Sequence, residues 1–218
     1  MRIQFLGHAS FLITTSAGTK ILTDPYNPGA YPGVISYSVF DEPVDIVTIS
    51  HEHNDHKAVH LIKGHPMVIR GNGKFSAHGV EFWGVETFHD AQHGAKRGRN
   101  TVFIISADDL RIAHMGDLGH VLTADQASEI GTVDIVMIPT GGNFTIDARQ
   151  AATVAGQIGA KIVIPMHYRT AKCAFDIAGV NEFTEGKPNV TLQKSSVLEV
   201  AAGQLPAAQQ IIVLEPAL

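Results

Sequence analysis

Short apolar runs rich in Val, Ile, Leu and Phe recur along the chain, and Gly, Asn, Asp and Pro punctuate the gaps between them. Runs of this kind read as β-strands. They are predicted over residues 2–6, 11–15, 20–23, 46–50, 66–70, 74–78, 80–87, 101–107, 110–114, 135–138, 161–164 and 211–214. Ala107-Asp108-Asp109-Leu110 is predicted as a hairpin turn. Helical signals are fewer. Thr123 with Gln126 three residues on forms a capping-box pattern, and Gly131 could close that helix. Thr145 reads as the N-cap of a second helix, with Asp147 in its first turn and an alanine-rich run to Gly156 or Ile158. A third helix is predicted from Asp55 to just before Gly64, and residues 24–43 read as a long loop. The pattern gives an α/β (α+β) class, with two mixed β-sheets and helices outside.

Composition narrows this without changing it. The 218 residues suit one domain, 1–218, large enough to bury its own core. Hydrophobic content of 44% and charged content of 17% are ordinary for a globular protein. A net charge of −5 and the lack of a basic stripe argue against a nucleic-acid partner. The single cysteine, Cys173, leaves no internal disulfide and reads as a small buried hydrophobe in a reducing compartment. Gln4 and His8 interrupt the apolar N-terminal stretch, and no run reaches the roughly 20 residues of a membrane span. The expectation is a cytoplasmic protein without membrane insertion; the sequence leaves its oligomeric state open.

Candidate chemistry concentrates in His51-Glu52-His53-Asn54-Asp55-His56, directly behind the apolar run 44–50. Burying so many polar groups costs several kcal/mol unless something satisfies them, and a metal does. In extended chain, residues i and i+2 face the same way, so His51 and His53 could grip one ion while Asp55 and His56 serve a second. His8, Asp24, His89, Asp117 and His167 each follow an apolar run. Ligands of open α/β folds gather at the carboxyl ends of strands, which would bring these residues to one rim.

This ordered set resembles the metallo-β-lactamase superfamily, whose H-x-H-x-D-H motif matches residues 51–56. Asp24 looks like the family's earlier aspartate, and His89, Asp117 and His167 look like its three later ligand positions. Gly7-His8-Ala9-Ser10, Gly116-Asp117-Leu118-Gly119-His120, Pro139-Thr140-Gly141-Gly142 and Pro165-Met166-His167-Tyr168 resemble a branch of short prokaryotic hydrolases. That branch is akin to ascorbate-6-phosphate lactonases and N-acylphosphatidylethanolamine phospholipases D. The resemblance implies a four-layer αββα sandwich holding two divalent metal ions. His51, His53 and His89 would hold the first ion, Asp55, His56 and His167 the second, and Asp117 would bridge them. Zinc is the expected ion, with manganese or iron as alternatives, because imidazole and carboxylate suit all three. His53 stands where flavodiiron relatives carry glutamate. Asp117 stands where many antibiotic-hydrolysing relatives carry a metal-binding cysteine, which argues against β-lactam hydrolysis.

The implied activity is hydrolysis of a small ester, lactone or related acyl compound by a metal-bridging hydroxide, with Asp55 and Asp117 as catalytic carboxylates. Two alternatives remain at this level: a phosphodiesterase acting on a lipid, nucleotide or sugar phosphate, and a non-catalytic metal-containing binding protein. Around the ligands, Asp24 would orient a metal-bound imidazole. His8, His120 and Asn100 are candidates to contact a ligand or the substrate. Gly141 and Gly142 could offer backbone N–H groups to a substrate anion. Asp90 and Arg97 read as ordinary loop residues.

Overall fold

The computed structural model describes residues 1–218. One sheet contains β1 (Arg2–Gly7), β2 (Ser10–Thr14), β3 (Lys20–Thr23), β4 (Ile46–Ile49) and β5 (Met67–Arg70). The other begins with β6 (Gly73–Ala77), β7 (Val80–Phe88), β8 (Arg99–Ala107) and β9 (Leu110–His114). It continues through α1 (Ala124–Ile130), β10 (Ile135–Pro139), α2 (Ala148–Gln157) and β11 (Ile162–Met166). The chain then forms α3 (Asn181–Thr184), β12 (Val190–Gln193), β13 (Val197–Glu199) and β14 (Gln210–Leu214). The first sheet has the order β13-β1-β2-β3-β4-β5 and the second β12-β14-β11-β10-β9-β8-β7-β6.

Alternating burial explains how the sheets stack. Ile3, Phe5, Phe11, Ile13, Ile21 and Ile46 join a large core shared with the second sheet, while Leu6, Leu12, Leu22 and Val47 face the other way into a smaller one. Successive strand side chains point to opposite faces, so the first sheet is covered on both sides. β10 and β11 are buried at every position, as parallel strands under helices are. Each large aliphatic side chain buried there contributes about 1.5–3 kcal/mol. The result is the four-layer metallo-β-lactamase sandwich with two mixed sheets, as expected.

The outer layers differ from each other. α1 contacts β7 and α2 contacts β10, over the second sheet. Over the first sheet the cover is mostly irregular chain, in which Phe40 and Val44 fill the smaller core with Val59 and Ile62 against it. The helix expected from Asp55 to Gly64 does not form. A single 3-10 turn, Val59–Leu61, stands there. Asp55 and His56 are both buried at the cluster, and Ala58 donates its N–H to Pro25 O at 2.8 Å, so the backbone is committed elsewhere.

The α1 capping box is present, with Thr123 Oγ1 accepting from Gln126 N at 3.2 Å. The second helix starts later than expected. Its cap is Asp147, not Thr145: Asp147 Oδ1 accepts from Gln150 N at 2.8 Å, and Gln150 Oε1 from Asp147 N at 3.1 Å. The turn at 107–110 closes a hairpin with Asp108 and Asp109 both at positive φ. The sequence pattern missed α3, β12 and β13, which are short; Leu192 in edge strand β12 is 71% exposed.

Strand direction sets the site. β1 and β3 are each antiparallel to β2, and β3 is parallel to β4, so β1, β3 and β4 run the same way. β7 and β9 are each antiparallel to β8, and β9, β10 and β11 are parallel. The residues after these strands therefore collect at common sheet edges. No helix is long and apolar enough to cross a membrane.

Candidate metal centre

Three of the residues delivered to this rim are held in the left-handed backbone region: His8 at φ 55°, Asp24 at φ 39° and His167 at φ 50°. Each such conformation costs on the order of 1–3 kcal/mol for a residue with a side chain. His167 N donates to His8 O at 2.8 Å, so the two sheets fix each other here. Gly116 turns the chain ahead of Asp117 at φ +54°, and a Cβ there would collide with Asn100 Oδ1 and the Ser50 side chain.

Asp117 sits at the middle of the histidines. Its Oδ2 lies 3.2 Å from His89 Nε2, 3.3 Å from His56 Nε2, 3.4 Å from His167 Nε2 and 3.8 Å from His51 Nε2. His51 Nε2 is also 3.1 Å from His53 Nδ1. On the other side, Asp55 Oδ2 lies 3.1 Å from His8 Nε2 and 3.7 Å from His56 Nε2. Two groups have ligand atoms near enough to share an ion: His51, His53 and His89, and His8, Asp55, His56 and His167. A third such group, Asp24 with His51 and His56, uses an aspartate already engaged by protein donors.

The charges are coupled through burial. Burial alone would raise Asp117, but His167 and His56 hold its carboxyl well below the usual range. Burial would lower His56, yet Asp117 and Asp55 hold it well above the ordinary imidazole value. His51 is pushed well down by burial and then by His56. His8 falls to about 4, through burial and then the neighbouring His167.

The residues fit a divalent metal. On the side facing the cluster, His56 Nε2 and Asp117 Oδ1 are buried without a hydrogen-bond partner. Leaving a buried polar group unmatched costs about 1–3 kcal/mol, and a cation accepts lone pairs that no protein donor meets. The donors are imidazole and carboxylate, the set that zinc, manganese and iron share. The cysteine stands apart from that set: Cys173 is buried, its Sγ lies 3.8 Å from His8 Nδ1, and burial raises its thiol to about 11.

Beneath the cluster lie Asp24 and Asn100, the latter turned toward the backbone of Asp117 rather than toward the pocket. Asp24 accepts from Ser50 N at 2.7 Å and lies 3.0 Å from His56 Nδ1, which leaves His56 Nε2 facing the cluster. Asn100 Oδ1 accepts from Asp117 N at 2.9 Å, and its Nδ2 donates to Thr87 Oγ1 and Met115 O. Other candidates do different work. His120 does not reach the pocket: its Nε2 accepts from Phe88 N at 3.2 Å and its Nδ1 lies 2.8 Å from Val121 O, bracing the strand before His89. Gly142 spends its N–H on Ile146 O, and Gly141 packs so closely on His167 O that no side chain would fit. The Gly142 N–H is therefore not free for a substrate anion.

Some neighbours were unremarkable in the sequence. Asp90, read there as a plain loop residue, accepts backbone N–H groups from Gln92, Gly94, Lys96 and Arg97 at 2.7–3.0 Å. Burial pulls its carboxyl up, but those donors, Arg97 first, hold it down at about 2. Tyr31, Arg97, Phe144 and Phe175 wall a pocket of about 290 Å³ whose floor includes His53, Asp55, His89, Asp117 and His167.

A family profile described as the beta-lactamase superfamily domain matches residues 2–167. A metal-dependent hydrolase of Carboxydothermus hydrogenoformans is 30% identical over 78% of this chain and 85% of its own. A crystal structure from Thermotoga maritima, of a candidate Zn-dependent hydrolase of the metallo-β-lactamase superfamily, superposes with a TM-score of 0.81 at 36% identity, covering 98% of both chains. Igni18, a metallo hydrolase of Ignicoccus hospitalis, superposes at 0.65 with 22% identity over 99% of this chain and 95% of that one, a likeness of fold alone. With its matched profile, its relatives and its sandwich of two mixed sheets, the chain belongs to the metallo-β-lactamase superfamily of metal-dependent hydrolases.

Proposed function

We propose that residues 1–218 form one catalytic domain, a dinuclear metal hydrolase that cleaves a small ester, lactone or related acyl compound. His51, His53 and His89 hold one ion, Asp55, His56 and His167 hold the other, and Asp117 lies between them. The observation that carries this reading is the convergence of four imidazoles on Asp117 Oδ2, with buried donor atoms left unmatched around it. Two bound divalent ions, zinc first and manganese or iron otherwise, would lower the pKa of water and polarise a substrate oxygen.

The chain's own groups supply the rest. Asp24 fixes the His56 ring through Nδ1. Asn100 fixes the Asp117 backbone. Asp55 Oδ2, already beside His8 Nε2, is the acceptor for a proton released on attack, and His8 holds that carboxylate in line. The rings of Tyr31, Phe144 and Phe175 exclude water from the pocket wall.

The test pairs substrates with metals. Protein loaded with Zn²⁺ or Mn²⁺ is assayed on phenyl acetate, a γ-lactone and bis(4-nitrophenyl) phosphate. The proposal expects metal-dependent turnover of an ester or lactone, falling at least roughly a hundred- to thousandfold in Asp117→Ala. Turnover of the phosphodiester alone would move the activity to the phosphodiesterase class. Full activity in a folded Asp117→Ala protein would end the two-metal reading.

A further inference from the structure

Around the metal ligands, the arginines differ in how they are paired. Arg70 is bonded to Glu52 and Arg99 to Glu86, at 3.0 Å in the second pair, along a groove of about 640 Å³ beside His51 and His53. Arg97 has no carboxylate partner and no side-chain hydrogen bond. Its guanidinium instead stacks over the Phe144 ring, 5.4 Å from the centroid, and faces the pocket whose floor is the histidine cluster. Guanidinium is weakly hydrated and stacks well on aromatic faces, and its fork of donors matches carboxylate and phosphate.

The loop carrying Arg97 is built to hold that position. Asp90 accepts the Arg97 backbone N–H at 2.8 Å and three further N–H groups from the same turn. The main chain is therefore anchored, while the side chain's five donors stay unused. Beyond Phe144 the wall continues in aromatic rings. Phe144 meets Phe175 edge-on at 5.7 Å, and Phe175 meets Tyr31 at 5.3 Å and His8 at 5.8 Å. An apolar wall of rings set edge to face thus runs from the cation to the cluster. At about 290 Å³ the pocket lies at the low end of the roughly 300–1,000 Å³ usual for small-molecule sites, so its occupant is small.

We propose that Arg97 determines specificity, binding an anionic group on the substrate, a carboxylate or a phosphate, while Tyr31, Phe144 and Phe175 receive the flat body that joins this group to the bond cleaved. This rests on the hydrolase reading for the bond but not for the binding. A plain surface cation with its stem packed on a ring would have the same contacts and no such preference.

Three acetate esters of phenol, bearing hydrogen, carboxylate or phosphate at the para position, separate the two. The Zn²⁺-loaded wild-type protein is expected to favour a charged ester in kcat/KM, and the better anion identifies the group. Arg97→Met is expected to reduce the charged-to-neutral ratio roughly ten- to hundredfold, the range for a charge-assisted hydrogen bond. Arg97→Lys should lose part of it, because the charge stays and the fork does not. Phe144→Leu should reduce the ratio about two- to fivefold through lost stacking. An unchanged ratio in Arg97→Met overturns the proposal while leaving the hydrolase intact.

Binding of benzoate and phenyl phosphate to the metal-free protein, read by calorimetry, supplies a measure independent of turnover. If no ester is cleaved, but one of these ligands binds and Arg97→Met weakens it tenfold or more, the hydrolase reading fails and this one stands. Binding that ignores the substitution, or no binding of either anion, overturns it.

Discussion

Two buried polar layers lie against each other at the sheet edge. In the lower one, Asp24 receives Ser50 and His56, and Asn100 joins Asp117 N, Thr87 Oγ1 and Met115 O. Its main partners are met within the protein. In the upper one, Asp117 Oδ1 and His56 Nε2 are buried and unmatched, and four imidazoles crowd one carboxylate oxygen. Both layers lie at the ends of well-packed strands, so poor folding does not account for the contrast. The lower layer is architecture. On the proposed reading the upper layer holds donors in place for metal, and the lower layer aims them.

Breaking the lower layer should therefore cost stability even without metal. Asn100→Ala would strand Asp117 N–H and Met115 O, while Thr87 Oγ1 keeps its bond to the residue-100 carbonyl, a loss of about 3 kcal/mol. For a chain of this size that is roughly 6–12 °C in Tm by calorimetry of the metal-free protein. A change within 1 °C would place Asn100 outside the supporting layer.

Asp24→Asn tests how the layers connect. The amide keeps the shape but loses the charge that orients His56 Nδ1. Metal affinity should fall ten- to hundredfold, roughly the usual cost of altering a ligand's hydrogen-bond partner, read by competition with a chelating dye. An affinity equal to wild type would detach the aspartate from metal binding.

The smallest effect belongs to a complete network far from both. Asp108 accepts from Ser16 N at 2.8 Å and from Ser16 Oγ at 2.7 Å. Burial raises its carboxyl, but the Ser16 donors outweigh that and hold it below the usual value. A depressed carboxylate stabilises the fold above its unfolded pKa and loses that contribution as pH falls past it. Asp108→Asn should cost about 1 kcal/mol at pH 7. The gap from wild type should close below about pH 4 in urea titrations, with metal binding untouched. A gap that persists at low pH would mean the hydrogen bonds, not the charge, carry it.

What the sequence disclosed follows from the range over which each signal acts. The 51–56 motif is local, and the candidate ligands after β7, β9 and β11 were legible because apolar runs mark strand ends. The helix cap was ambiguous because Thr145 and Asp147 both suit an N-cap and stand two residues apart; Gln150 settles it by pairing with Asp147. The segment 55–64 looked helical, yet Asp55 and His56 are drawn into the cluster and the Ala58 N–H is spent on Pro25 O, a distant partner that sequence period does not reveal. Asp90 was invisible because its four partners are backbone N–H groups, which leave no residue-type signature. The aromatic wall was equally hidden, since Tyr31, Phe144 and Phe175 come from distant segments and meet only in the folded chain.

The most direct test of the upper layer is a count of metal. Protein stripped with a chelator is dialysed against Zn²⁺, and bound metal per chain is measured by mass spectrometry alongside Tm. The account predicts two ions per wild-type chain and a rise in Tm of roughly 10–20 °C at a hundred times the Kd of each site. A chain that binds no zinc and melts at the same temperature with or without it would contradict the claim that these unmatched donors wait for metal.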